Sequence, residues 1–245
     1  MKQMSFTNRN TKEILRDPLT LGFGIGFPLI LLLMLSAIQA NIPVSLFEIA
    51  NLTPGIAVFG LSFFTLFAAQ LISKDRSTSL MMRLFASPLT AGDFIAGYTL
   101  PLIPMAVAQS AICLGMAMII GLAWTPNILL VLLVLLPMAV FHIGLGLLCG
   151  SLFNDKQVGG ICGAALTNVA ALLSGAWFDL SLVGGAFEKA AYMLPFARAV
   201  DAGRAALKGD FAAIFPDLWW VIGYALVALA AAVIVFSRRK RSGKM

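Results

Sequence analysis

Residues 128–140 read ILLVLLVLLPMAV. Thirteen consecutive residues without a charge, apolar on every side, rule out the alternating pattern of a membrane β-barrel strand, which runs about 10 residues with one polar face. Extended to 128–152, the run is long enough to cross a hydrocarbon core of roughly 30 Å as one helix. Comparable runs recur along the 245-residue chain, which is 60% hydrophobic and only 11% charged; soluble domains carry about 25% charged residues. The sequence therefore predicts an all-α integral membrane protein.

Six transmembrane helices are expected, at about 19–39, 54–72, 95–121, 128–152, 158–178 and 218–236. The third carries Pro101 and Pro104, where a kink or tilt is expected. The chain divides as one transmembrane domain over 1–245, with a cytoplasmic interfacial segment 1–18, a six-span core 19–236 and a basic tail 237–245. All but four of its 17 basic residues fall before span one, between spans two and three, between spans four and five, or in the tail. The intervening loops ANIPVSLFEIANLT and AWTPN have none. The positive-inside rule then puts both termini in the cytoplasm of a multi-pass cell-membrane protein. The net charge of +6 belongs to this asymmetry, so no nucleic-acid partner is expected. The remaining four, Lys189, Arg198, Arg204 and Lys208, lie in 179–216 among four acids and several apolar residues. That segment reads as one or two short outer re-entrant helices broken near Pro195, or as a hidden seventh span.

The chain has no G-x-x-x-x-G-K-[ST] loop to hold ATP, and no His, Cys or Glu cluster with metal-ligand spacing. Cys113, Cys149 and Cys162 read as small core residues. The spans carry no acidic or basic residue at mid-depth, where ion-driven transporters usually place one. His142 is either a buried histidine bonded to a backbone carbonyl or a substrate contact. Three G-x-x-x-G pairs, Gly22/Gly26, Gly146/Gly150 and Gly159/Gly163, suit close helix contact.

Between spans two and three, Ser73–Phe94 reads SKDRSTSLMMRLFASPLTAGDF. Ser77, Thr78 and Ser79 offer an N-cap. Leu80, Met81, Leu84 and Phe85 share one helical face, Arg83 and Ser87 point away from it, and Pro88 ends the helix. A short helix lying flat at the cytoplasmic surface results. It either anchors the start of span three or docks a partner.

This segment resembles the first cytoplasmic loop of the permease subunits of ATP-binding-cassette exporters, the group that includes drug-resistance and polysaccharide-export permeases. Asp75-Arg76, Leu84-Phe85, Ala86-Ser87-Pro88-Leu89 and Gly97 carry the likeness, with Ser79-Leu80 in place of the usual Gly-Thr. Asn10–Pro18 resembles the family's interfacial helix before span one, Gly144–Asn154 its fourth span and second loop, Leu173–Phe178 the end of its fifth span, and Leu194-Pro195-Phe196 with Arg204 its outer helices.

The resemblance implies a non-enzymatic subunit with no cofactor of its own. ATP and Mg would be bound by a separate ATPase, present in two copies and paired with two permeases, as a homodimer or a related heterodimer. Asp75, Arg76, Leu80, Arg83, Leu84, Phe85, Asp155 and Lys156 would form the coupling contact, with the short helix as the coupling helix. A substrate path lined by Phe63, Phe64, Phe67, Asn168 and Leu172 would carry a hydrophobic or amphipathic product (drug-like, lipid or peptide) outward. A secondary transporter or channel working without an ATPase is the alternative.

Overall fold

The computed structural model describes residues 2–41, 44–78 and 90–242, and among these the chain is helical with no strand. An amphipathic helix, α1 (Lys2–Leu15), leads through a short turn of helix (Pro18–Leu21) and a π-helical stretch (Gly22–Gly26) into α2 (Phe27–Asn41). Then come α3 (Ile49–Arg76), α4 (Ala91–Ile120) and α5 (Asn127–Leu152). A helical turn at Asp155–Val158 and a second π-helical stretch (Gly159–Leu166) lead into α6 (Thr167–Leu173). A turn at Leu180–Val183, α7 (Gly185–Met193) and α8 (Pro195–Lys208) precede the long α9 (Phe211–Ser242).

Five of these stretches are long and apolar enough to cross a membrane: 22–41, 49–76, 92–120, 127–152 and 211–239. They match five of the six expected spans, with ends displaced by up to seven residues. The expected span 158–178 takes a different form, because the glycine-rich GGICGAAL winds as π-helix and Ser174 and Gly175 end the helix early.

The core is α3. Its middle is almost wholly enclosed, and it packs against α2, α4, α5, α6 and α8. Gly146 and Gly150 of α5 explain how close two helices can come. A Cβ at either position would collide with backbone carbonyls of α3, those of Thr65 and Ala69. Removing the side chain lets the backbones touch, which is how helices gain dispersion contact in lipid. The other two G-x-x-x-G pairs differ. Nothing lies within 4 Å of a Cβ at Gly22, Gly26 or Gly159.

Hydrogen bonds fix which helix ends lie together. At one end, Ser73 of α3 donates to Asp155 (3.1 Å), and Arg76 donates to the carbonyls of Gly150 (2.8 Å) and Phe153 (3.1 Å). Phe94 of α4 meets Phe6 of α1 edge to face and Phe236 of α9 at a tilt, so both ends of the described chain meet there. At the other end, Arg204 of α8 donates to Asn51 O (3.1 Å) and Gly175 O (3.1 Å). The stretch from Asp155 to Gly175 therefore runs the full height of α3.

Residues 179–216 form short helices with a break at Leu194, whose extended backbone (φ −92°, ψ 160°) hands over to Pro195 at the first turn of α8. Proline suits that position because its missing N–H would have had no intrahelical partner. α8 buries Phe196, Ala199, Val200, Ala202 and Ala206 against α3, α5 and α9. Arg198 of α8 pairs with Asp217 (2.7 Å) and lies 4.8 Å over the Trp220 ring, fastening α8 to α9.

Candidate functional site

Three features, at the termini-bearing end, along one flank and at the far end, have the makings of a working site. The first is a joint at the end of α3, where successive side chains reach three different elements. Asp75 is buried and accepts both Nη atoms of Arg9 (2.6 Å each) and the Tyr98 hydroxyl (2.8 Å). The fork-to-fork geometry is the strongest form of this pair. Arg9 also reaches Glu13 (2.7 Å), and hydrogen bonding to Asp75 holds its guanidinium above the usual arginine range. Asn10 of α1 donates to Gly97 O (3.0 Å). A Cβ at Gly97 would strike the Phe6 ring, so glycine there is what lets α1 lie against α4.

Arg76 points the other way, onto the carbonyls at the end of α5 that a helix terminus leaves unsatisfied. Ser77 and Thr78 bond backward, their hydroxyls donating to Lys74 O (2.7 Å) and Asp75 O (3.0 Å), and so close α3.

Of the residues expected at the coupling contact, Asp75 and Arg76 thus face inward and hold helices together. Asp155 accepts Ser73 from an exposed turn capped reciprocally by Asn154 and Gln157. Lys156 is exposed on the same turn. Leu80, Arg83, Leu84 and Phe85 lie outside the described residues.

The second feature is a groove of about 440 Å³ between the start of α2, the middle of α3 and the stretch ending in α6. Its aromatic wall is Phe23, Phe27, Phe59, Phe63 and Trp177. Ring centroids lie 5.3 Å apart for Phe59–Trp177, 5.4 Å for Phe59–Phe63 and 5.9 Å for Phe27–Phe63, mostly edge to face. Asn168 and Leu172 line the opposite side with Thr167. Three of the five residues expected on a substrate path, Phe63, Asn168 and Leu172, are brought together here.

Phe64 is not among them. It is fully buried on another side of α3 and packs on Phe67 (5.5 Å). Phe67 lines a separate cleft nearer the termini. Consecutive residues on a helix point about 100° apart, so Phe63 and Phe64 cannot share a wall. Sequence reasoning missed Phe23, Phe27, Phe59 and Trp177. The signal was present in Phe23/Phe27 and Phe59/Phe63/Phe67, each at i, i+4 spacing.

Both π-helical stretches border this groove, through Phe23 in the first and Gly163 in the second. Thr167 donates to Cys162 O (3.0 Å) and Asn168 to Ala164 O (2.8 Å), satisfying carbonyls that the wider winding disturbs. Such stretches occur frequently at functional sites.

The third feature is a small polar pocket of about 90 Å³ at the far end, where Asp179, Tyr192, Asp201 and Arg204 meet. Tyr192 donates to Asp201 (2.9 Å), and burial followed by the Asp201 charge pushes its phenol up to about 12. Ser181 bonds hold the Asp179 carboxyl below its usual value.

His142 receives or donates one bond to Thr65 (2.9 Å), deep between α3 and α5, and lines none of these spaces. The partner is a hydroxyl rather than the backbone carbonyl expected for a buried histidine.

The described chain is thus a bundle of membrane-length helices with an aromatic groove on one flank. The chain belongs to the ABC-2 type transporter family, which it matches over residues 4–207. It is a multi-pass membrane subunit of that family. It is also 31% identical, over 127 residues, to the capsule polysaccharide export inner-membrane protein CtrC of Neisseria meningitidis serogroup B. That match spans 50% of this chain and 48% of the relative, about half the length of each.

Proposed function

We infer that this chain is the membrane-spanning half of an ATP-driven exporter, with six crossings and both termini in the cytoplasm. The sixth crossing is the helical stretch from Asp155 to Gly175, which reaches from Ser73 at one end of α3 to the level of Asn51 at the other. The charge asymmetry of the loops supports the orientation. Residues 180–208 then sit at the outer end, partly re-entrant. Family membership supports a separate ATP-binding subunit as the engine, two copies of it serving two permeases.

The coupling contact is assigned to the surface around Ser77–Pro88 and the Asp155–Lys156 turn. The joint at Asp75 and Arg76 immediately precedes Ser77 in the chain and passes displacement to α1, α4 and α5. The ATPase shifts the permease only if it binds the inward and outward states with different affinity, and a rigid joint is what makes one state's geometry felt across the bundle.

The single observation that carries the substrate path is the open aromatic groove. Its rings and the exposed Leu172 suit an amphiphile with an apolar part. A saccharide is the second reading, favoured by the name of the relative and by Trp177, whose buried indole N–H has no partner among the described residues. Aromatic faces accept sugar C–H surfaces as readily as acyl chains.

Co-expressing the chain with a candidate ATP-binding subunit tests the whole reading. A stable complex is expected, with hydrolysis altered by the permease. Leu84→Asp or Phe85→Asp is expected to leave the chain inserted while separating hydrolysis from transport. Normal transport in both variants would remove the docking assignment. Transport that follows a proton or sodium gradient without any ATPase would replace the reading with a secondary transporter.

A further inference from the structure

Next to the aromatic groove, toward the termini, is a second cleft of about 410 Å³. Phe23 lines both, and Leu66 of the second cleft packs beside Gly163 of the first. The two spaces therefore adjoin along one flank of α3. The second differs in carrying ionisable groups. Beyond Phe23 the second cleft keeps an apolar side in Leu66 and Phe67 and adds Glu13, Arg16, Asp17, Thr20, Gln70 and Lys74.

The charges there are not equally committed. Glu13, at the rim, is held by Arg9 at 2.7 Å, and Asp17 accepts the Thr20 hydroxyl at 2.9 Å. Arg16 and Lys74 have no ion pair or side-chain hydrogen bond to any described residue. They project from two different elements, the end of α1 and the end of α3, into one concave space. Two cations share the cleft with two carboxylates, and Arg16 and Lys74, the two without an ion pair to a described residue, border an apolar channel.

We propose that this cleft is an entry subsite for the anionic head of an amphiphilic substrate, with Arg16 and Lys74 as its cations and Gln70 and Thr20 as neutral hydrogen-bonding groups. It rests on the reading of the aromatic groove as the substrate path. The head is a phosphate or carboxylate group. Its apolar or saccharide remainder lies past Phe23 against Phe27, Phe59 and Phe63. The division explains why the flank is polar at one end and aromatic along the rest. An anion approaching the membrane surface gains from each basic side chain there. The planar guanidinium of Arg16 can take two anionic oxygens at once, while Lys74 acts as a point charge. Specificity then follows from a single requirement, that the negative group and the apolar part be joined.

The test uses the full chain, purified in a neutral maltoside detergent at low salt. It is titrated with a fluorescent dodecyl phosphate and with the matching dodecyl phosphocholine. The wild-type chain is expected to bind the phosphate probe on the order of tenfold more tightly, the scale of two surface cations. Arg16→Gln with Lys74→Gln should bring the two affinities together. Arg16→Lys with Lys74→Arg should keep the preference, which separates lost charge from a misfolded cleft. Lys12→Gln, a neighbouring cation on α1 that does not line the cleft, should also keep it.

A preference unchanged in the double glutamine variant overturns the subsite, and so does a preference lost equally in Lys12→Gln. Inorganic phosphate that displaces the probe at probe-like concentrations makes the cleft a free-phosphate site and overturns the amphiphile. Phe63→Ala should weaken both probes alike. If it weakens neither while the glutamine pair abolishes the preference, the subsite stands and the groove fails as the path.

Discussion

Asp75 is buried, charged and answered from two sides, by the Arg9 fork and by Tyr98. Removing one partner of such a pair costs more than the pair contributes, because the remaining charge keeps its desolvation penalty. Asp75→Asn should lower the thermal stability of the purified chain by about 1–3 kcal/mol, reduced from the fully buried case because Arg9 is partly exposed. A double-mutant cycle with Arg9→Gln should recover most of that as coupling energy. Additive effects would show that the contact does not hold α1 in place. Neighbouring phenylalanines give a second contrast at this scale. Phe64→Ala empties fully enclosed space and should cost about 3–5 kcal/mol. Phe63→Ala opens onto the groove and should cost less, yet change transport or ligand binding more. A melting curve and a binding titration on the two variants decide this, and equal behaviour would dissolve the distinction between core and path.

At the level of elements, α3 and α5 meet backbone to backbone through Gly146 and Gly150. Gly146→Val puts methyl groups where the Thr65 carbonyl stands. Overpacking of this kind costs about 1–3 kcal/mol, and a lower melting temperature of the detergent-purified chain is expected. Gly22→Val, with nothing within 4 Å of its Cβ, serves as the comparison and should be better tolerated. The two π-helical stretches show what glycine density does along a helix. GFGIG and GGICGAAL both leave regular α geometry, and both wall the groove. Their sequences advertised helix contact through G-x-x-x-G spacing. Of those six glycines, Gly146 and Gly150 make the close backbone approach, while Gly22, Gly26 and Gly159 face open space.

Over the whole molecule, one flank is unfinished. Phe23 and Leu172 are about half exposed on the groove side, at 47% and 53%. A second permease copy facing this flank would enclose it. Leu172→Cys is then expected to give a covalent dimer with a short thiol cross-linker in membranes, since Cys113, Cys149 and Cys162 are buried and should not react. A monomer band alone would place the partner elsewhere.

Much of this architecture was legible in the sequence, because lipid imposes a length and a composition on anything that crosses it. Apolar runs such as 128–152 located five long helices to within about seven residues at each end, and Pro195 marked the break between α7 and α8. The basic clusters foretold that the chain's two ends would share one end of the bundle, where Phe6, Phe94 and Phe236 now meet. Periodicity alone did not separate the groove from the core. Phe63 and Phe64 are the same residue type one position apart, and which one faces an open flank depends on where α5 and α8 pack around α3. Nor did charge type separate Asp75 from Lys74. Both read as polar residues at a membrane surface, yet the fold buries one against Arg9 and leaves the other in a cleft. Local composition decides what can enter the membrane, since each segment meets lipid on its own terms. Which side chain is lining, latch or filler is a relation between segments distant in sequence, and only their packing supplies it.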